Sequence, residues 1–338
     1  MKKIIIFLII LIWFDGRAQN FNFKDYLLLG VDQAEKLATG YVEPLSEGLL
    51  YGLTGGWYNT AQVKNKWELE LSLVTNGSFV PKDKLFREYN VGEFENLSLA
   101  NGGNVIKIPT ILGSNDSRVG LIATLDGQEF EFDAPTGIGL LSTNLLPNAM
   151  LQASIGLPGN SELGFRYVPK MNINGANIGV TGISIKHELT ESIRNWQKWP
   201  VSISAFAAFT RLDIRYDFQT DGFLTGQSQR LESYLNSFSA EILASTKHPV
   251  WNTYGAIGFV KGKANYDLKG IYTIETQSRT ISYQDPFNIK NEISGFKINI
   301  GGKVNIKRFS INLDYTFQGY NNLSLRLNYI VLTGNSNN

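Results

Sequence analysis

Apolar and polar positions keep two different rhythms along this chain. From Phe23 to Ala38, apolar residues return at steps of three and four: Phe23, Leu27, Gly30, Val31, Ala34 and Leu37. Lys24, Asp25, Asp32, Glu35 and Lys36 fill the remaining positions. That spacing predicts an amphipathic helix, ending at Thr39-Gly40, where glycine suits a left-handed cap. Tyr41 to Thr60 follows with Tyr51-Gly52-Leu53-Thr54-Gly55-Gly56-Trp57-Tyr58. So many glycines predict irregular structure or close backbone approach there instead of a helix. From Trp67 the period becomes two. Trp67, Leu69, Leu71 and Leu73 alternate with Glu68, Glu70 and Ser72, the pattern of a strand with unlike faces.

Asn76-Gly77, Pro81, Asn101-Gly102-Gly103 and Ile108-Pro109 punctuate a loop-rich stretch, with short strands expected at Arg118 to Leu125 and Gln128 to Phe132. Strand patterns dominate from Met150 onward and are clearest at the end of the chain. Phe296, Ile298, Ile300, Val304 and Ile306 alternate with Lys297, Asn299, Lys303 and Asn305, and Lys307-Arg308 turns the chain. Phe309, Ile311, Leu313, Tyr315 and Phe317 run back, and Leu323, Leu325, Leu327 and Tyr329 run out again. Leu212, Ile214, Tyr216 and Phe218 against Arg211, Asp213, Arg215 and Asp217 repeat the device.

A soluble sandwich also alternates, so alternation alone does not choose between sandwich and barrel. Strands longer than ten residues, aromatic residues near strand ends (Phe317, Tyr320, Tyr329) and an export signal favour a membrane barrel. The signal is Met1-Lys2-Lys3, an apolar run from Ile4 to Phe14 and Gly16-Arg17-Ala18, with cleavage expected after Ala18. The predicted fold is therefore all-β, a transmembrane antiparallel up-and-down β-barrel of about 10–14 strands with an N-terminal helical and Gly-rich plug. Its expected divisions are signal peptide 1–18, helix and plug 19–60, barrel 61–332 with a loop-rich insert at 76–149, and tail 333–338. Phe23, Leu27, Val31, Ala34 and Leu37 form the plug's apolar face. The expected location is the cell outer membrane.

Composition removes several chemistries. With 31 Lys+Arg against 30 Asp+Glu and no basic block, nothing points to nucleic acid. The chain has no cysteine and two histidines, which excludes thiol catalysis and makes a transition-metal site improbable. No cofactor is expected. Glu129, Glu131 and Asp133 share one strand face, a weak oxygen-rich calcium candidate whose spacing matches no calcium loop. His187 shares a strand face with Ile183 and Ile185, and its neighbour Glu188 points the other way, so no catalytic pair is expected and the protein is read as a non-enzyme. Trp57 and Tyr58 are candidates to stack on a ligand in the lumen. Arg166, Lys170, Lys186 and His187 are candidates to line that lumen or to meet anionic lipid at its rim.

Gly48, Tyr51-Gly52, Gly55-Gly56-Trp57-Tyr58-Asn59-Thr60-Ala61, Ile108-Pro109-Thr110-Ile111-Leu112-Gly113, Leu157-Pro158-Gly159, Leu163, Arg166-Tyr167-Val168-Pro169-Lys170, Gly182 and Lys186-His187 resemble an uncharacterised outer-membrane β-barrel family of Bacteroidota. A helical plug before a barrel is similar in architecture to the outer-membrane long-chain fatty-acid transporters. These resemblances imply a passive channel or transporter for small molecules, hydrophobic ones among them. Outer-membrane lipid and the outer-membrane assembly machinery would be its partners. The alternatives are a non-transporting structural or assembly barrel, an outer-membrane hydrolase, or an exported soluble β-sandwich that binds a ligand. A continuous cavity would favour transport, and a lumen crossed by paired charges would favour the structural role.

Overall fold

The computed structural model describes residues 22–139, 144–173, 175–218 and 224–334; the expected signal peptide lies outside them. Sixteen strands follow an N-terminal helical segment. They are β1 (Leu69–Phe79), β2 (Phe86–Asn90), β3 (Leu97–Leu99), β4 (Val105–Pro109), β5 (Gly120–Leu125), β6 (Gln128–Asp133), β7 (Leu145–Leu157) and β8 (Ser161–Ile173). After these come β9 (Ala176–Glu188), β10 (Val201–Asp217), β11 (Leu224–Thr246), β12 (Trp251–Glu275), β13 (Thr280–Gln284), β14 (Asn288–Ile306), β15 (Phe309–Phe317) and β16 (Asn322–Leu332).

Ten of these strands close a ring of antiparallel pairs, in the order β1, β7, β8, β9, β10, β11, β12, β14, β15, β16 and back to β1. Closure leaves no unpaired edge in the wall, which a sheet in hydrocarbon requires. The strand count sits at the lower end of the expected range. Strands β2 to β6 form two small sheets in the insert between β1 and β7. Asn76-Gly77 makes no turn: both residues lie within β1, paired to β7 and β16, so the insert begins only after Phe79.

One end of the barrel, the near mouth, holds the start of β1, the end of β16 and the turns at 158–160, 189–200, 247–250 and 307–308. The other, the far mouth, holds the insert and the projecting ends of β11, β12 and β14, which run 23, 25 and 19 residues. The longest excursions from the wall, the insert and the projecting strand ends, thus all stand at the far mouth.

Within the long strands the two faces exchange character. Towards the near mouth the outward positions are apolar: Trp251, Ile257 and Phe259 on β12, and Phe296, Ile298 and Ile300 on β14. The inward ones there are polar, among them Asn252, Ser237, Ser239, Lys297 and Asn299. Past Phe209, Phe238, Phe259 and Phe296 the order reverses. Arg211, Lys261, Lys263, Lys290 and Glu292 face outward, while Leu212, Leu235, Val260, Ile289 and Ile293 face inward. Phe209 pairs with Phe238 and Phe259 with Phe296, so the reversal occurs at one level across four strands. From Trp251 to Phe259 the apolar band takes up nine residues of β12, about 26 Å along the strand, the length a tilted transmembrane strand needs. Beyond it the wall stands in water, and its inner face is an ordinary protein core.

That core receives the N-terminal segment. Asn22–Leu29 is a 3-10 helix; Gly30, at φ 88°, breaks it from α1, which spans Val31–Gly52. The expected single helix from Phe23 to Ala38 is thus two, and the second continues through Pro44 and Gly48 to Gly52; the chain is irregular, as expected, only from Leu53 through Gly55-Gly56 to Thr60. Tertiary packing overrides propensity here. A side chain at Gly40 would strike the Tyr89 ring, and one at Gly48 would press on Leu146 and Tyr320. Leu27, Ala34 and Leu37 are buried in the same cluster as Val260 and Ile293, and Val31 packs against it; the side chain of Phe23 is outside the described residues. Tyr320 is no part of an interfacial girdle, because it stacks on Tyr51 and donates to Glu47 at 2.9 Å.

The insert is tied to the projecting wall by Asp126, which accepts from both Arg279 Nε and Nη2 at 2.7 Å. These hydrogen bonds hold the Asp126 carboxyl below its usual range. Its contribution is therefore full above the unfolded-state value and is lost as pH falls through the depressed one. Two tests follow. Arg279→Ala should speed hydrogen exchange in β5 and β6 while the barrel's melting is unchanged, and acid below the ordinary carboxylate range, enough to protonate Asp126, should mimic it. Ile300→Arg, at the centre of the apolar band, should lower the unfolding free energy in vesicles by about 2–4 kcal/mol, whereas Lys261→Arg, beyond the band, should leave it unaltered.

Candidate functional site: the occupied lumen

α1 enters the barrel from the far mouth and ends inside it. Its final carbonyls carry the negative end of the helix dipole and lie away from water; the backbone N–H groups of Leu53, Thr54 and Gly55 turn back to the carbonyls of Leu49, Tyr51 and Gly52. The wall supplies donors to them in sequence. Ser78 Oγ donates to Gly48 O at 2.9 Å, Ser237 Oγ to Leu50 O at 2.7 Å, Asn322 Nδ2 to Tyr51 O at 3.3 Å and Asn76 Nδ2 to Gly52 O at 2.7 Å. Beyond the helix three cations take over. Arg166 donates to Leu53 O at 3.1 Å and to Gly55 O at 2.8 Å, and Lys297 donates to Thr54 O at 3.2 Å. Arg326 donates to Trp57 O at 2.8 Å. Gln152 also reaches Trp57 O at 2.9 Å, Lys186 reaches Thr60 O at 3.3 Å, and Ser204 bonds Ala61 O.

The glycines make this fit possible. A Cβ on Gly55 would lie 2.8 Å from Asn76 Nδ2, and one on Gly56 would lie 2.7 Å from Val74 Cγ1. Gly56 also holds φ 61°, a conformation that other residues adopt with strain. The wall reciprocates: Gly164 and Gly182 leave the space in which the Trp57 indole lies.

Trp57 and Tyr58 therefore present no free face to a ligand. The Arg166 guanidinium covers Trp57 at 3.8 Å from the ring centroid; Tyr58 packs edge-on against Phe206 and donates to Glu241 at 2.5 Å. Glu241 is balanced by Lys297 at 3.0 Å. Closer to the near mouth, Lys186 meets Glu162 at 3.0 Å, Lys64 meets Glu70 at 3.0 Å and Glu162 at 3.8 Å, and Arg326 meets Glu70 at 3.5 Å. Arg166, Lys186, Lys297 and Arg326 each retain 2% of their surface or less. Side chains on the wall of a water-filled pore would be wet; these are not.

Of the residues singled out from sequence, Arg166 and Lys186 face the lumen as expected. Lys170 is exposed beside a register shift in β8 near the far mouth, and His187 lies on the outer face with Ile183 and Ile185; neither lines the lumen. His187 lies 2.9 Å from Ser161 Oγ and 3.1 Å from Ser192 Oγ, a cluster invisible from sequence spacing. Each hydroxyl also donates to a carbonyl, Ser161 to Gly159 and Ser192 to Glu188. The imidazole bridges the two hydroxyls, so the cluster ties together the turns at 158–160 and 189–200. Glu129, Glu131 and Asp133 project from β6 into solvent, and no group of three metal-ligating side chains occurs among the described residues.

Lys297, Arg326, Glu241, Glu70, Glu162 and Lys64 were not singled out, though a signal existed for two. Lys297 stands between Phe296 and Ile298, and Arg326 between Leu325 and Leu327, so each charge is set where only a lumen can receive it. Arg166→Ala removes two charge-assisted bonds to the plug, a loss of about 3 kcal/mol or more. Hydrogen exchange at residues 53–57 should accelerate by about a hundredfold, while Lys170→Ala changes nothing.

Solved structures with a similar trace are outer-membrane barrels. The attachment invasion locus protein Ail of Yersinia pestis is 8% identical over 78% of this chain and 96% of its own, with a TM-score of 0.25. A FadL homologue of Pseudomonas aeruginosa is 9% identical over 87% and 98%, with a TM-score of 0.23. The outer-membrane protease OmpT of Escherichia coli is 9% identical over 78% and 95%, with a TM-score of 0.26. Superpositions this loose transfer no ligand or reaction to the present chain. No curated protein matches it. The family is shown by sequence: a model described as "Family of unknown function (DUF6588)" matches residues 1–331, and the chain belongs to that family.

Proposed function

We propose that the protein is an outer-membrane barrel kept closed by its own N-terminal segment, a structural or assembly barrel that does not conduct in its resting state. The observation that carries this reading is the run of wall donors to the plug's carbonyls from Gly48 to Ala61, on side chains withdrawn from water. The ion pairs crossing the lumen support it further, since Lys64, Lys186 and Lys297 each meet a carboxylate there. The projecting wall and insert give such a barrel a water-exposed platform at the far mouth, where a partner protein could be engaged.

A second reading, a gated channel, is favoured by the chemistry of the plug's seat. Ser72, Gln152, Arg166, Lys297, Arg326 and Asn328 form a polar surface, which would suit hydrated solutes if the plug left. That same polarity argues against the hydrophobic cargo expected from sequence. The apolar residues of the wall's inner face lie mostly beyond the membrane band, and α1 and the insert cover them.

Planar-bilayer recording separates the readings. The full chain should insert without conductance, and deletion of residues 22–60 should open steps of aqueous-pore size with weak ion selectivity. Spontaneous conductance of the full chain would overturn the closed-barrel reading. If no solute or voltage opens the full chain and only the deletion conducts, the gated reading fails.

A further inference from the structure

The aromatic collar at the near mouth differs in charge from the collar at the far boundary. At the far boundary most outward cations are neutralised on the surface: Arg211 by Asp213, Arg215 by Asp217, Arg230 by Glu232, Lys263 by Glu292 and Lys269 by Asp285. At the near mouth three turns that follow one another round the rim, 189–200, 247–250 and 307–308, carry Arg194, Lys198, Lys247, Lys307 and Arg308. The three turns contain one carboxylate, Glu191, and Lys247 already meets it at 3.2 Å. Arg194, Lys198, Lys307 and Arg308 are exposed and have no ion-pair partner among the described residues.

Each of these turns is flanked by aromatic rings. Trp196 and Trp199 stack at 4.8 Å within the first, His248 stacks on Trp251 at 4.8 Å at the second, and Phe309 lies against Tyr329 at 4.7 Å at the third. Directly beyond them the wall is the outward apolar band of Ile257, Ile298, Ile300, Ile311 and Leu327. Indole and phenol rings at this depth sit among headgroups, and unpaired cations beside them face the phosphate layer.

We propose that this arc of the near mouth is a binding surface for anionic glycerophospholipid, with headgroup phosphates held by Arg194, Lys198, Lys307 and Arg308 and acyl chains lying along the apolar band. The inference rests on the transmembrane reading. It commits to glycerophospholipid over lipopolysaccharide because the insert and the projecting strand ends stand at the far mouth, as long excursions do on the outer side of bacterial barrels, which leaves the near mouth to the periplasmic, phospholipid leaflet.

The experiment uses the full chain refolded in phosphatidylcholine bilayers with spin-labelled lipids, comparing the association of phosphatidylglycerol with that of phosphatidylcholine. At about 10 mM salt the ratio should be about fivefold or more, the scale of one basic side chain at an anionic surface. It should fall towards one at about 1 M salt, where screening acts within about 3 Å. The quadruple variant Arg194→Gln, Lys198→Gln, Lys307→Gln, Arg308→Gln should lose the preference, and Lys261→Gln with Lys290→Gln at the far boundary should keep it. If the quadruple variant does not refold, the salt titration of the unaltered chain decides. A ratio of one, a preference surviving the quadruple change, or selection confined to lipopolysaccharide overturns the proposal. Lipid that shows no motional restriction at all would instead mean that the chain has not inserted, and the transmembrane reading itself would fall.

Discussion

A helix that ends inside a barrel creates a demand that the whole structure answers. The last turn of α1 and the glycine-rich segment after it expose a row of carbonyl oxygens in a space closed to water. A buried acceptor left without a donor costs about 1–3 kcal/mol, so an unanswered row would expel the plug. The wall answers with hydroxyls and amides along the helix and with Arg166, Lys297 and Arg326 beyond it. The cations, in turn, could not be buried unless the carbonyls and the carboxylates Glu241 and Glu70 were there to receive them. Plug and wall are each the condition of the other's chemistry, which is why glycine is needed on both sides of the contact.

The exchange of faces along β10 to β14 follows from the solvent around each level of the wall. Inside the bilayer the outward side must be apolar, and the lumen takes the polar residues. Above it the outward side meets water, and the apolar residues turn in against α1 and the insert. One continuous strand thus belongs to two folding regimes, a membrane barrel below Phe259 and a water-soluble core above it. This accounts for strands far longer than a bilayer needs.

The barrel was legible because period-two alternation and the meander at 296–329 depend only on local sequence. The level of the face exchange was present as well, since β10's Arg211, Asp213 and Arg215 lie on the side that carries Phe209. Alternation read without a common level treats both halves of the strand alike. The extent of α1 was not legible: Pro44 and Gly48 argue locally against a helix, and only the shape of the lumen that receives them decides otherwise. Nor was the difference between Arg166, which holds the plug, and Lys170, which faces solvent, because the register shift after Val168 changes the alternation between them. The His187 cluster depends on a cross-strand pairing with Ser161 that no linear spacing announces.

The path of the N-terminal segment bears on how the molecule can be assembled. The chain runs down the lumen before β1 begins, and the ring closes where β1 meets β16, joining Ser72 to Asn328 across 256 residues. A contact so distant in sequence forms late. A finished ring would have to admit a helix and its glycine-rich extension, with all their hydrogen-bonding groups, through its mouth, whereas an open sheet need only curl round them. In that order of events the segment would act as a mandrel, setting the circumference to which the sheet curls before the seam between β1 and β16 is sewn.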